Sequence, residues 1–152
     1  MAHIPVNHPL RPMYRALAFV AGAYLVVFGV FGLIQTAGES FAGATGVRVL
    51  GQGSNLLWSI ICLVLGGLVL LTTFVGRNLD VEADKYLGWT LLVIGTYELA
   101  ANRTDANIFG FSVSTVIVTY LVGLVLVTAG LYSKIGTPEA ALREAAAAHG
   151  PR

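Results

Sequence analysis

The sequence predicts an all-α integral membrane protein: four transmembrane helices, with the N- and C-termini both cytoplasmic. Three observations carry this. The 152 residues are 56% hydrophobic and 11% charged, with a mean hydropathy of +0.77, which places the chain outside the range of soluble domains. Four apolar runs approach the roughly 20 residues needed to cross about 30 Å of hydrocarbon. The basic residues fall mostly on one side of those runs, as membrane topology requires.

The first run spans Tyr14 to Ile34, with Arg15 where it begins. Arg11 and Arg15 resemble a basic leader and Gln35-Thr36-Ala37-Gly38 a cleavable stretch. The apolar part exceeds the about 7–15 residues of a signal peptide, so it is read as a retained helix. The second run covers Leu56 to Val75 and stops at Gly76-Arg77; the third and shortest covers Tyr86 to Ala101; the fourth covers Phe111 to Tyr132. None shows the alternation of a membrane barrel strand, and open sheet edges cannot be satisfied in lipid, so all four are expected to be helices. With the N-terminus inside, Arg11, Arg15, Arg77, Lys85, Lys134, Arg143 and Arg152 are cytoplasmic and only Arg48 and Arg103 are outside. The outer loops then cover about residues 35–55 and 102–110.

This divides the chain into a Pro-rich cytoplasmic arm (1–13), a transmembrane bundle (14–132) and a cytoplasmic tail (133–152). Pro5, Pro9 and Pro12 favour an extended arm that needs a surface to hold it. In the tail, Thr137-Pro138-Glu139 reads as N-cap, first-turn proline and first-turn acid, which predicts a short helix from Pro138 to about His149. The alternative is a frayed Ala-rich tail.

Small residues mark the expected packing faces. Ser112, Thr115, Thr119 and Gly123 recur at intervals of three and four, with Gly130 a heptad further, and Ala18/Gly22, Cys62/Gly66 and Gly88/Gly95 repeat the theme. The stripe on the fourth helix either packs inside the bundle or is offered to another subunit. Gly67-Leu68-Val69-Leu70-Leu71-Thr72 resembles Gly123-Leu124-Val125-Leu126-Val127-Thr128, so a duplicated helix pair is one reading and chance likeness of apolar helices the other.

Residues able to carry chemistry are few. Glu98 is the ionisable side chain inside a predicted span, sharing a helix face with Gly95 and Asn102 near the outer interface. It reads as a structural carboxylate compensated by hydration, Arg103 or Arg48, as a contact to a partner subunit, or as a site of proton or cation coupling. No second acid, His or Lys in the spans completes a relay or attaches retinal. Asn55 is placed to cap the second helix, with Trp58 at the depth of an aromatic belt. Asp105 and Asn107 suit a turn before the fourth span. Asn102-Arg103-Thr104 also fits the N-glycosylation pattern but lies too close to the membrane to be used.

His3, His8 and His149 all lie near the termini and Cys62 is the single cysteine, so no metal, haem or disulfide framework is expected. A net charge of +1 gives no field for nucleic acid. Without a Walker loop, HExxH, GxSxG or CxxC, the chain is expected to be no enzyme and to carry no cofactor. The seven Arg to two Lys, with abundant Ala, Gly and Val, matches the coding bias of a GC-rich bacterial genome.

Asn55, Trp58, Cys62 and Gly66 at the second helix, and Asn102, Asp105, Ile108 and Phe109 before the fourth, resemble a pattern of a domain-of-unknown-function family of small actinobacterial four-helix membrane proteins. Those proteins tend to show Asn-x-x-His-x-x-x-His-x-x-x-Gly and Asn-x-x-Asp-x-x-Leu-His at these points. Here the caps match and the histidines do not, which implies that any metal or proton chemistry of those histidines is lost in this chain. The expected function is a non-enzymatic accessory or scaffold subunit of a larger inner-membrane complex. Proteins of this kind look like those in mycobacterial assemblies such as the mammalian-cell-entry type lipid importers or the respiratory supercomplex. The expected partners are the bilayer and other integral membrane subunits. The other reading is a small transporter or lipid-binding bundle that uses Glu98.

Overall fold

A computed structural model describes residues 6–139, together with Leu142 and Ala146. Most of the expected tail helix and the start of the arm lie outside the described residues. The chain runs α1 (Arg11–Gln35), β1 (Arg48–Val49), β2 (Gln52–Gly53), α2 (Leu56–Val75), α3 (Leu79–Ala101) and α4 (Val113–Tyr132). Three of these helices, α1, α2 and α4, are long and apolar enough to cross a membrane. The fourth, α3, has 23 residues, but its first two turns carry Asp80, Glu82, Asp84 and Lys85.

Helix boundaries differ from hydropathy where polar residues enter a helix. The first helix begins at Arg11, three residues before the apolar run, and takes Pro12 into its first turn, where a missing N–H costs nothing. The arm is therefore shorter than residues 1–13. The third helix starts at Leu79, seven residues ahead of Tyr86, with acids in its first turn where they complement the helix dipole. In α4 the first helical residue is Val113; Ser112 is its N-cap and closes a capping box with Thr115.

The helices pair as two tight hairpins, α1 with α2 and α3 with α4. Glycine sets both seams. A Cβ at Gly66 would lie 2.7 Å from the Gly22 carbonyl oxygen, and one at Gly88 would lie 2.7 Å from the Val127 nitrogen and 2.8 Å from the Gly123 oxygen. Backbones touch there because nothing intervenes. Gly123 and Gly130 complete the α3/α4 seam against Leu92, Lys85 and Val81. Thr115 and Thr119 are buried in the same direction, so the small-residue stripe of α4 faces the chain's own bundle.

The internal repeat does not extend to packing. Gly123 meets the backbone of α3, whereas Gly67, its match in the repeat, has nothing within 4 Å; the contact in α2 is made one residue earlier, by Gly66. Phe28, Val69, Leu91 and Leu126 fill the centre.

The sequence reading did not anticipate the β-hairpin in the loop between α1 and α2. Leu50 and Gly51 both take positive φ, 49° and 80°, as a two-residue hairpin turn demands. A leucine there hides the signal.

Candidate functional site

Most of the residues expected to matter meet at one end of the bundle, where loops 36–55 and 102–112 close over it. Asn55 is the joint. Its Oδ1 accepts from the Trp58 amide at 2.9 Å, capping α2, while its Nδ2 donates to the carbonyls of Gly43 (2.9 Å) and Ile108 (2.8 Å), one from each loop. Both amide atoms of a fully buried side chain are thus used. Asn107 repeats the arrangement: its Oδ1 accepts from Phe111 N at 2.8 Å, and its Nδ2 donates to the Phe111 and Asn102 carbonyls. The Asn102 amide donates to the same Phe111 oxygen at 2.9 Å.

The hairpin seals the other side. Gly53 N donates to Ser112 Oγ at 2.9 Å, Thr115 Oγ1 donates to Gly53 O at 2.8 Å, and the Gln52 amide bonds the Tyr24 hydroxyl of α1. Gly53 has to be glycine, because a Cβ would stand 2.6 Å from the Gly110 oxygen. Ser54 and Ser59, not singled out in the sequence, are buried beside Asn55 and bond to its carbonyl.

Two expectations are corrected here. Trp58 is no belt residue: it is 2% exposed, with ring centroids 4.6 Å from Phe111 and 5.8 Å from Phe109. The outer loops fold over it and bury it. Glu98 is not open to solvent either, being 0% exposed. Its Oε1 accepts from the Phe109 amide at 3.1 Å, its Oε2 is buried without a partner, and no ion pair to Arg48 or Arg103 is made among the described residues. The loop that buries it also supplies the compensating dipole. Asp105 is exposed on that loop.

Sequence reasoning missed a polar cluster at the other end. Asp80 and Asp84 are each 1% exposed, and Arg15 pairs with Asp80 at 3.0 Å while also donating to the Thr73 carbonyl. Asp84 belongs to the turns that precede the apolar stretch from Tyr86. Burial raises its pKa from 3.8 to about 7; the neighbouring Asp80 charge adds to the rise and Arg15 opposes it. The available signal was periodicity. Asp80, Asp84, Gly88, Leu91, Gly95 and Glu98 form one buried face, at helical spacing.

No group of three or more His, Cys, Asp and Glu side chains gathers among the described residues to hold a metal ion. An apolar groove of about 300 Å³ lies between α1 and α4, lined by Leu17, Val20, Tyr24, Val118, Leu121 and Val125 among others. Comparison with known protein families, characterised proteins and solved structures finds nothing that matches this chain.

Proposed function

We propose that this chain is a non-enzymatic accessory or scaffold subunit of a larger bacterial inner-membrane complex, spanning the membrane four times with both termini cytoplasmic. One observation carries the reading: the polar side chains at the end closed by loops 36–55 and 102–112 are committed to the chain's own atoms. Asn55, Asn107, Asn102, Gln52, Ser112 and Thr115 each bond loop, helix or side-chain atoms of this chain. Such a network makes a rigid cap whose shape is fixed before any partner arrives. The exposed face of α3 adds Tyr86, Trp89, Val93 and Tyr97 at helical spacing, and tyrosine and tryptophan are favoured at binding hot spots. For α3 to cross the membrane, its charged first turns must sit at the inner interface with Arg11 and Arg15, which agrees with the cytoplasmic excess of basic residues. The parent complex, whether a lipid importer or a respiratory assembly, is identified by mild detergent extraction from native membranes and analysis of the co-purifying chains. Recovery of the chain alone, across several mild detergents, counts against the proposal.

A transporter or lipid-binding bundle is the second reading, favoured by the unpartnered Oε2 of Glu98 and by the apolar groove between α1 and α4. Uptake of labelled substrate or lipid into proteoliposomes containing this chain alone, lost on Glu98→Gln, would establish it and remove the accessory reading.

A further inference from the structure

The inner end of the bundle concentrates buried polar atoms that have no hydrogen-bond partner. These include Oδ1 of Asp84, both carboxylate oxygens of Asp80 and the hydroxyl of Ser133. Asp80 is served by an ion pair, but Asp84 has neither an ion pair nor a hydrogen bond among the described residues. Arg11 ties the group together: its Nη2 stands 3.7 Å from Asp80 Oδ2 while its Nε donates to the Ser133 carbonyl at 2.8 Å.

That carbonyl begins a latch. Asn7 donates from its backbone to the Lys134 carbonyl at 3.0 Å, and its side chain both donates to and accepts from Gly136 at 3.2 Å. From the opposite side Asn78 makes the same two-way contact with Ile135, at 2.9 and 2.8 Å. Residues 133–136 are thus gripped between the N-terminal segment and the turn that starts α3.

We propose that Asp84 is a proton-binding site at the inner end of the bundle, and that its ionisation opens the latch between the N-terminal segment and the segment following α4. With Asp84 neutral, Arg15 serves Asp80 and Arg11 is left to hold the Ser133 carbonyl. When the Asp84 proton passes to water on the inner side, two buried carboxylates one helical turn apart must share two guanidiniums. Arg15 turns toward Asp84, Arg11 closes its 3.7 Å gap to Asp80, and the Ser133 carbonyl loses its donor. Proton uptake reverses the exchange.

Of the other charged groups at this end, Lys85 is paired with Glu82 at 2.8 Å, and Arg77 and Lys134 are exposed. His8 lies against the rings of Tyr14 and Tyr132 and accepts from the Leu10 amide. It is the remaining ionisable group on the latch. The rise of the Asp84 pKa to about 7 puts the exchange in the physiological range.

The test uses the full chain in lipid nanodiscs with Cys62→Ala, and nitroxide labels at Leu10 and Ile135, both exposed. A single short distance at acid pH should give way to a longer, broader population, the open-to-closed ratio rising up to about tenfold per pH unit for one proton. Asp84→Asn should stay closed throughout, and His8→Gln should keep the dependence. A wild-type distance that ignores pH, or a pH dependence that survives Asp84→Asn, overturns the proposal. A second measurement needs no Asp84 variant: in protein with ¹³C-labelled aspartate carboxyls, the infrared band of a protonated carboxyl group must shift with the label and vanish with a midpoint near 7. Absence of that band also overturns it.

Discussion

Adding one methyl group to the α3/α4 seam should separate the two helices. At Gly88 the new Cβ would lie 2.7 Å from Val127 N, 2.8 Å from Gly123 O and 2.8 Å from Val127 Cγ2. Two of these atoms are backbone and cannot rotate away, so relief requires the seam to widen by about 1 Å toward ordinary carbon contact distances. Widening forfeits close packing along the seam, and overpacking of this kind costs about 1–3 kcal/mol, only partly offset by the about 1 kcal/mol gained in helix propensity over glycine. Gly123→Ala meets the Gly88 oxygen and Leu92 Cδ2 at 3.0 Å and should cost less, since leucine can yield. Gly67→Ala has open space and should be neutral or stabilising. Reversible unfolding in mixed detergent micelles should therefore rank Gly67→Ala at or above wild type, then Gly123→Ala, then Gly88→Ala. Gly88→Ala as stable as wild type, or Gly67→Ala below it, would refute the seam as the site where the hairpin is held together.

Replacing Gly123 by Leu should lower the level of the protein in the membrane, because its face is internal; normal abundance with lost co-purification would return that face to a partner. Asn55→Ala removes a cap and strips donors from two loop carbonyls, costing about 2–4 kcal/mol from the cap and the unmade hydrogen bonds together; a loss below about 0.5 kcal/mol in the same unfolding assay would mean the cap is not cooperative. For topology, a cysteine at Ser40 should react with an impermeant maleimide in whole cells and one at Glu82 only after permeabilisation; the reverse pattern rejects the cytoplasmic N-terminus. Asp84 sets a stability profile. Its folded pKa of about 7 lies above the ordinary 3.8, so its neutral form favours folding. The contribution is complete below the ordinary value and declines, by at most about 1.4 kcal/mol per pH unit, until pH passes the folded value. Asp84→Asn should flatten this slope, and an unchanged slope would remove Asp84 as its source.

The apolar runs of α1, α2 and α4 were legible because lipid solvates a helix from outside, and hydropathy records that solvent residue by residue. Which face turns inward was less so. Gly66 and Gly67 are adjacent in sequence, yet one touches the backbone of α1 and the other touches nothing. The cap role of Asn55 could be read from its position before an apolar run, but its two other bonds reach Gly43 and Ile108, and no local pattern announces partners so far apart. The buried Trp58 follows from the same closure.

The start of α3 shows why charge misleads a hydropathy reading. Each of Asp80 and Asp84 counts separately as a reason to end a span, whereas the physical unit is the Asp80–Arg15 pair, which enters the bundle with its charge largely cancelled. Hydropathy therefore cut the helix at Tyr86 and left Glu98 looking like the isolated acid of the chain. With the whole inward face in view, α3 carries acids at both ends, about 21 Å apart from Asp84 to Glu98 by helical rise. The two ends differ in what compensates them. Glu98 receives the Phe109 amide, fixed within a loop that Asn55 and Asn107 tie down on either side. The acids at the start of α3 face guanidiniums on flexible stems, one of which also holds the Ser133 carbonyl. A fixed dipole can tolerate a charge but cannot follow it, while a side chain with several rotatable bonds can exchange one acceptor for another. Any response of this bundle to protonation that moves its backbone should therefore begin at Asp84 and not at Glu98.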